Sequence, residues 1–228
     1  MGHITKENLN FLNALSKNND RDWFAENKLE YQKHHEAMIS FADALLVKMN
    51  QHDNIETLTG KKSLHRIYRD VRFSKDKSPY KSHWGGSFKR ATKHLRGGYY
   101  YHIQPNGSSF IGGGFWGPNK EDLLRIREDI SIDASDLREL ITSPTFINTF
   151  GKLKGEQLKS SPKGFDKEHP DIDLLRYKQF VVMKEFTQKE VLADNFIEKA
   201  NDTFMKMRPF FNYMSDVLTT DANGEPLF

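Results

Sequence analysis

Gly97-Gly98-Tyr99-Tyr100-Tyr101-His102-Ile103-Gln104-Pro105-Asn106-Gly107-Ser108-Ser109-Phe110-Ile111-Gly112-Gly113-Gly114-Phe115-Trp116 is the stretch from which the fold is read. Two runs rich in aromatic residues flank Pro105-Asn106-Gly107, which is the composition of a β-hairpin with arms at 99–104 and 108–116. Side chains alternate across a strand, so Tyr99 and Tyr101 share one face and Tyr100 takes the other, which predicts that part of the triplet is core. The glycines Gly112, Gly113 and Gly114 predict a bulge or the close approach of another backbone rather than a regular strand.

Upstream, Ile4 to Lys17 has Leu9, Leu12 and Leu15 at helical spacing, and Asn18-Asn19-Asp20 supplies a stop and the next cap. A longer helix is expected from Asp22 to about Gln51, with Met38, Phe41, Leu45 and Met49 on its apolar face. Ser63 to Phe73 then alternates with period two, and the pattern predicts a strand with Ile67, Val71 and Phe73 beside Arg69 on one face. Arg66, Tyr68, Asp70 and Arg72 fall on the other. A loop at 74–81 leads to a second strand at 83–90.

Downstream, helices are expected at 121–130, 134–141 and 143–150, a strand and turn within 153–164, a helical turn at 172–177 and a strand at 179–186. Thr187 and Glu190 have capping-box spacing, and an amphipathic helix from Phe196 is expected to kink or break at Pro209. Helices, then mostly hairpin-linked strands, then helices again predict an α+β fold: an antiparallel sheet of about six strands flanked by N- and C-terminal helices, in one domain spanning 1–228.

Composition narrows the class. The 228 residues are 37% hydrophobic and 29% charged and include seventeen Phe, enough bulky apolar surface for a core without a metal or disulfide staple. Zero cysteines remove thiolate chemistry and Cys-type zinc sites, and a reducing cytoplasmic location is the expectation. Neither a spanning apolar run nor a signal-peptide pattern is visible, so no membrane association is expected.

The charge is unevenly placed. Between Lys61 and Arg96 twelve Lys and Arg stand against Asp70 and Asp76, a surplus of ten, so a chain of net charge +3 carries −7 elsewhere. Such a segment either faces an anion or packs on the acidic body of its own chain. Its densest part is Arg66-Ile67-Tyr68-Arg69-Asp70-Val71-Arg72-Phe73-Ser74-Lys75-Asp76-Lys77-Ser78-Pro79-Tyr80-Lys81. An Asp between guanidinium groups can accept from one and hold it so that its remaining donors meet a ligand. Arg66, Arg69, Arg72, Lys75, Lys77 and Lys81 are the candidate cations for an anionic, phosphorylated or nucleotide-like ligand, with Tyr80 shaping the wall and His83 joining the site. If the site performs chemistry, His102 is the candidate acid or base and Asp70 or Asp76 its carboxylate partner. The plain alternative is a structural ladder of Arg–Asp pairs on a solvated face.

The same segment, with Asn18 to Phe24, Gly98-Tyr99-Tyr100, His102 to Pro105, Gly112 to Gly114 with Trp116 and Pro118, Pro162 to Phe165, and His169-Pro170 with Leu174 to Arg176, resembles the bacterial and fungal family catalogued as domain of unknown function 2461. The resemblance covers nearly the whole chain and implies a single domain. It implies no reaction, cofactor or partner.

Other motifs exclude more than they indicate. The triple glycine matches neither a dinucleotide fingerprint nor a phosphate-binding loop. Nine histidines show no metal-ligand spacing. Arg21, Asp22 and Trp23 sit at a helix N-terminus, where capping is the ordinary role. The tyrosine triplet near the basic segment raises a second function, a nucleic-acid-binding module, although the usual RNA-binding signature is missing. A third is a protein-interaction domain that docks an acidic partner or a second copy. Cofactor and oligomeric state are not legible.

Overall fold

The computed structural model describes residues 2–107, 109–221 and 224–227, so Ser108, expected at the start of the second hairpin arm, lies outside the described residues. Among those residues are ten α-helices and one antiparallel sheet of four strands. The helices are α1 (Lys6–Lys17), α2 (Arg21–Glu26), α3 (Lys28–Met49), α4 (Gly60–Ser63), α5 (Lys120–Ile132), α6 (Ser135–Thr142), α7 (Pro144–Phe150), α8 (Ile172–Leu175), α9 (Gln188–Val191) and α10 (Phe196–Thr219). The strands β1 (Trp84–Lys89), β2 (Gly98–Ile103), β3 (Ser109–Phe115) and β4 (Phe180–Phe186) lie side by side in chain order. The mixed architecture with helices before and after the strands follows the reading of the sequence, but four strands replace about six.

The chain divides into two compact units. The first comprises Met1–Phe88, Tyr100–Ile111 and Glu185–Asp202; the second comprises Lys89–Tyr99, Gly112–Lys184 and Thr203–Phe228. In the first, Leu9, Leu12 and Leu15 of α1 and Met38, Phe41, Leu45 and Met49 of α3 are buried as their spacing predicts. Tyr101 meets Phe41 edge-on at 5.7 Å, and Phe41 stacks on Phe196 at 5.8 Å. In the second unit, Tyr99 packs against Phe204 and Phe211 at 5.0 and 4.9 Å. Tyr99 and Tyr101 are buried and Tyr100 is half-exposed, the alternation expected of the strand.

The two missing strands have local causes. Residues 64–69 make only isolated bridges, Leu64 with Gly86 and Tyr68 with Tyr80, with a bend at Ile67 between them. Arg69 N–H donates to the Pro79 carbonyl at 2.9 Å, and Pro79 has no N–H to return, so the ladder cannot continue outward. Phe73, expected inside with Ile67, is instead 95% exposed, because the chain has left the sheet before reaching it. Near 153–164, Lys154 bridges Val181 and Gln157 bridges Tyr177, but between them Gly155 adopts φ +147, where a Cβ would stand 2.1 Å from the Gln179 carbonyl oxygen.

The helix expected from Asp22 is divided at Asn27 into α2 and α3, the Asn27 side chain donating to the Trp23 carbonyl at 2.9 Å. α10 passes through Pro209 without breaking. The missing N–H would have bonded Met205, a residue on the exposed side of the helix where water can take its carbonyl.

The glycine triplet lies within the regular strand β3, against the expectation, but the expected close approach of another backbone is present at Gly114. Gly114 has φ +132, and a Cβ there would stand 2.2 Å from the Phe180 carbonyl oxygen on β4. Gly114→Ala should therefore lower stability by roughly 3 kcal/mol or more, combining backbone strain with a clash. Gly164→Ala, at φ +93 but with open space around the added methyl, should cost only about 1 kcal/mol. Urea midpoints of the two variants check the contrast; equal losses would show that φ alone sets the effect.

Candidate functional site

The basic segment reaches its position by a few specific contacts in the first unit. Lys81 N–H donates to the Ile67 carbonyl at 2.8 Å, which with the Arg69–Pro79 bond pairs 67–69 against 79–81. Asn19, just past the end of α1, reads this pair as another peptide would: its amide donates to the Tyr80 carbonyl and its Oδ1 accepts from Tyr80 N–H, both at 3.0 Å. Tyr80 is buried, its ring stacked on Phe24 at 4.0 Å. Asp20 caps α2 by accepting from the N–H groups of Asp22 and Trp23, so the Arg21-Asp22-Trp23 terminus is capped from within.

Residues 70–78 form an excursion held by its own polar groups. Asp76 accepts from Ser78 N–H at 2.9 Å and Ser78 Oγ at 2.6 Å, and Arg69 donates to Asp76 and to the Ser78 carbonyl. Those contacts, Ser78 first and Arg69 after, hold the Asp76 carboxyl well below the usual carboxylate range. Asp70 pairs with Arg72 through Nε and Nη2 and is lowered by it. Lys77 Nζ donates to the Val71 carbonyl at 2.9 Å.

Inside this arrangement lies an open cleft of about 320 Å³ lined by Ser16, Asn19, Arg69, Asp76, Ser78, Tyr80, Lys81, Ser82 and His83. Arg69, Asp76, Tyr80, Lys81 and His83 were expected at a site and line it. Arg66, Asp70, Arg72, Lys75 and Lys77 do not: they stand exposed on the outer side of the segment. His102 does not line the cleft either; its ring stacks against His83 at 4.1 Å. Ser16, Asn19 and Ser82 carry no sequence signal for this role. Asn19 lies 61 residues from Tyr80 and reads locally as a helix stop. Ser78 is visible only as one of the hydroxyls in a polar loop.

Two cations, Arg69 and Lys81, and one carboxylate, Asp76, line the cleft. Lys81 Nζ donates to the Arg66 carbonyl at 2.8 Å, and among the described residues no carboxylate pairs with it. Burial, then the neighbouring Arg66, lowers its pKa. His83 is pushed down to about 3, first by burial and then by His102, Lys81 and His65, so the imidazole is neutral at pH 7. His102 is also lowered by burial; its Nε2 lies 2.8 Å from Gln104 Oε1.

Other members of the basic segment are structural. In the second unit Arg90 is buried, donating to the Arg96 carbonyl at 3.0 Å and to Asn212 Oδ1 at 2.8 Å, and Arg96 pairs with Asp122. A cleft of about 350 Å³ in that unit has the opposite character: Glu128, Asp129, Asp136, Asp216 and Asp221 line it with Arg125. Among the described residues no group of three or more His, Asp or Glu could hold a metal ion, and no helix is long and apolar enough to cross a membrane.

Fold and site thus define a mixed α/β protein in which residues 67–69 pair with 79–81, Asn19 and Phe24 hold Tyr80, and the segment lines a cleft that carries Arg69 and Lys81. The chain belongs to the family described as conserved hypothetical protein (DUF2461), which matches residues 7–213. No curated protein and no solved structure matches it.

The low pKa of His83 has a consequence for stability. The unfolded chain takes up a proton near the ordinary value of 6.5, whereas the folded protein resists doing so down to about 3. The unfolded state therefore binds more protons in that window, and the stability contributed by neutral His83 is complete above pH 6.5 and lost as pH falls toward 3. His65 and His102, also lowered, act in the same direction. The urea midpoint should be lower at pH 5 than at pH 7.5, and His83→Phe should reduce the difference. An unchanged midpoint across that range would show that His83 is not held neutral.

Proposed function

We propose that the first unit binds a small phosphorylated anion in the cleft between the end of α1 and the 67–83 segment. The observation that carries this reading is the pairing of two cations of different status. Arg69 is immobilised by Asp76 and the Ser78 carbonyl, whereas the Lys81 ammonium is anchored on the neutral Arg66 carbonyl and pairs with no carboxylate among the described residues. A fixed guanidinium beside an ammonium with no carboxylate partner among the described residues, with the Ser82 hydroxyl in the same lining, offers donors of the kind a phosphate group needs, while the Ser16 and Ser78 hydroxyls already donate to the Asn13 carbonyl and to Asp76. Asp76 lines the same cleft, but its hydrogen bonds to Ser78 and Arg69 offset its charge locally.

Calorimetric titration with inorganic phosphate, sulfate and simple phosphate esters tests the reading. Lys81→Gln should weaken phosphate binding about tenfold or more while leaving the melting temperature nearly unchanged, since a partly exposed charge contributes little to stability. Equal binding by wild type and variant, or no binding by either, would refute it.

A second reading, a nucleic-acid-binding module, is favoured by one specific observation. Phe73 is 95% exposed at the turn of the 70–78 excursion, with the Arg72 guanidinium 5.8 Å from its ring centre and Lys75 exposed nearby. An aromatic ring among cations is what a single strand uses, the ring stacking a base and the cations following phosphates. Binding of an oligonucleotide should then weaken with salt, and Lys75→Gln should reduce the salt slope by about one. Phe73→Ala should weaken binding about tenfold without changing that slope. A slope near zero would remove this reading.

A further inference from the structure

The cleft ends against a column of rings that the anion reading does not use. His83 stands just before β1, His102 is on β2 and Phe110 is on β3, and these strands are neighbours in that order. The His83 and His102 rings are 4.1 Å apart at 28°, and the His102 and Phe110 rings are 4.8 Å apart at 10°. Both separations lie within or below the range of stacked aromatic pairs. Strands spaced about 4.8 Å apart impose this ladder, because cross-strand neighbours on one face stand side by side. His102 is covered on both sides, by His83 and by Phe110. His83 stacks on His102 and also lines the cleft, so the column reaches the cleft at His83. The imidazole there is neutral at physiological pH, so it offers a flat polarisable surface without adding charge.

We infer that the anion held by Lys81 and Arg69 carries a planar aromatic ring that stacks on His83, extending the His83–His102–Phe110 column by one member: the ligand is a nucleoside phosphate. This inference rests on the phosphate reading of the same cleft and adds the identity of the group attached to the phosphate. The volume of about 320 Å³ lies at the lower end of ligand sites, which suits a mononucleotide rather than a dinucleotide cofactor. The cleft is open, so the nucleotide can be free or the terminal residue of a strand; the chemistry recognised is the same.

The test compares AMP, ribose 5-phosphate and a short oligonucleotide ending in a 5′-phosphate by calorimetry, on wild type, His83→Ala and His83→Phe, with circular dichroism confirming that each variant is folded. Base stacking predicts that AMP binds wild type about fivefold to a hundredfold more tightly than ribose 5-phosphate. His83→Ala should abolish that advantage without altering the affinity for ribose 5-phosphate, and His83→Phe, which keeps a flat ring, should retain it. An oligonucleotide binding with the same His83 dependence, and more tightly than AMP, would place the nucleotide at a strand end; weaker binding would identify the free nucleotide as the ligand. Equal binding of AMP and ribose 5-phosphate by wild type would overturn the inference and leave the phosphate reading intact, as would a uniform loss for both in His83→Ala. Failure of both compounds to bind would overturn the two readings together.

Discussion

The pleat of β2 is the constraint on which most of the rest depends. Successive side chains must point to opposite sides, so Tyr99, Tyr101 and Ile103 go into apolar surroundings while Tyr100 and His102 stand half-exposed on the other face. Tyr101 closes on Phe41 and lies 3.2 Å through its hydroxyl from Ser63, and Tyr99 closes on Phe204 and Phe211. A shift of one residue would bury His102 and expose three large apolar side chains, which ties the register to the burial of the core. The same pleat stations His102 beside His83 and Phe110, so the face that carries the ring column follows from the burial of the tyrosines.

A second, weaker constraint shapes the basic segment. Pro79 ends the pairing of 67–69 with 79–81 for want of an N–H, and everything between 70 and 78 must find partners elsewhere. Asp70 and Asp76 meet that need inside the segment, one by pairing with Arg72 and the other with Arg69 and Ser78. The two acids embedded among cations are therefore the reason the segment is ordered rather than a repelling tail. Its surplus charge then divides in three: Lys81 and Arg69 toward the cleft, Arg66, Arg72, Lys75 and Lys77 toward solvent, and Arg90 and Arg96 into structural contacts of the second unit.

The chain alone carried the hairpin around Pro105-Asn106-Gly107, the helices before and after it, the apolar faces of α1 and α3, the alternation of Tyr99 and Tyr101 against Tyr100, the close approach at Gly114 and the family motifs. Each is written in short-range periodicity or in a residue whose backbone allows one choice. Five of the eleven proposed site residues, Arg69, Asp76, Tyr80, Lys81 and His83, also reach one cleft, because they lie within fifteen residues and the local turn gathers them. Only the tertiary structure decided the remainder. Whether 64–73 forms a ladder depends on the donors of a segment ten residues further on. Whether Asn19 merely stops a helix or clasps Tyr80 depends on a partner brought up by folding. That His83 is a neutral wall backed by His102 and Phe110 depends on which strands are neighbours. Periodicity reports which face a residue takes; it does not report what stands opposite, and a binding site is defined by what stands opposite.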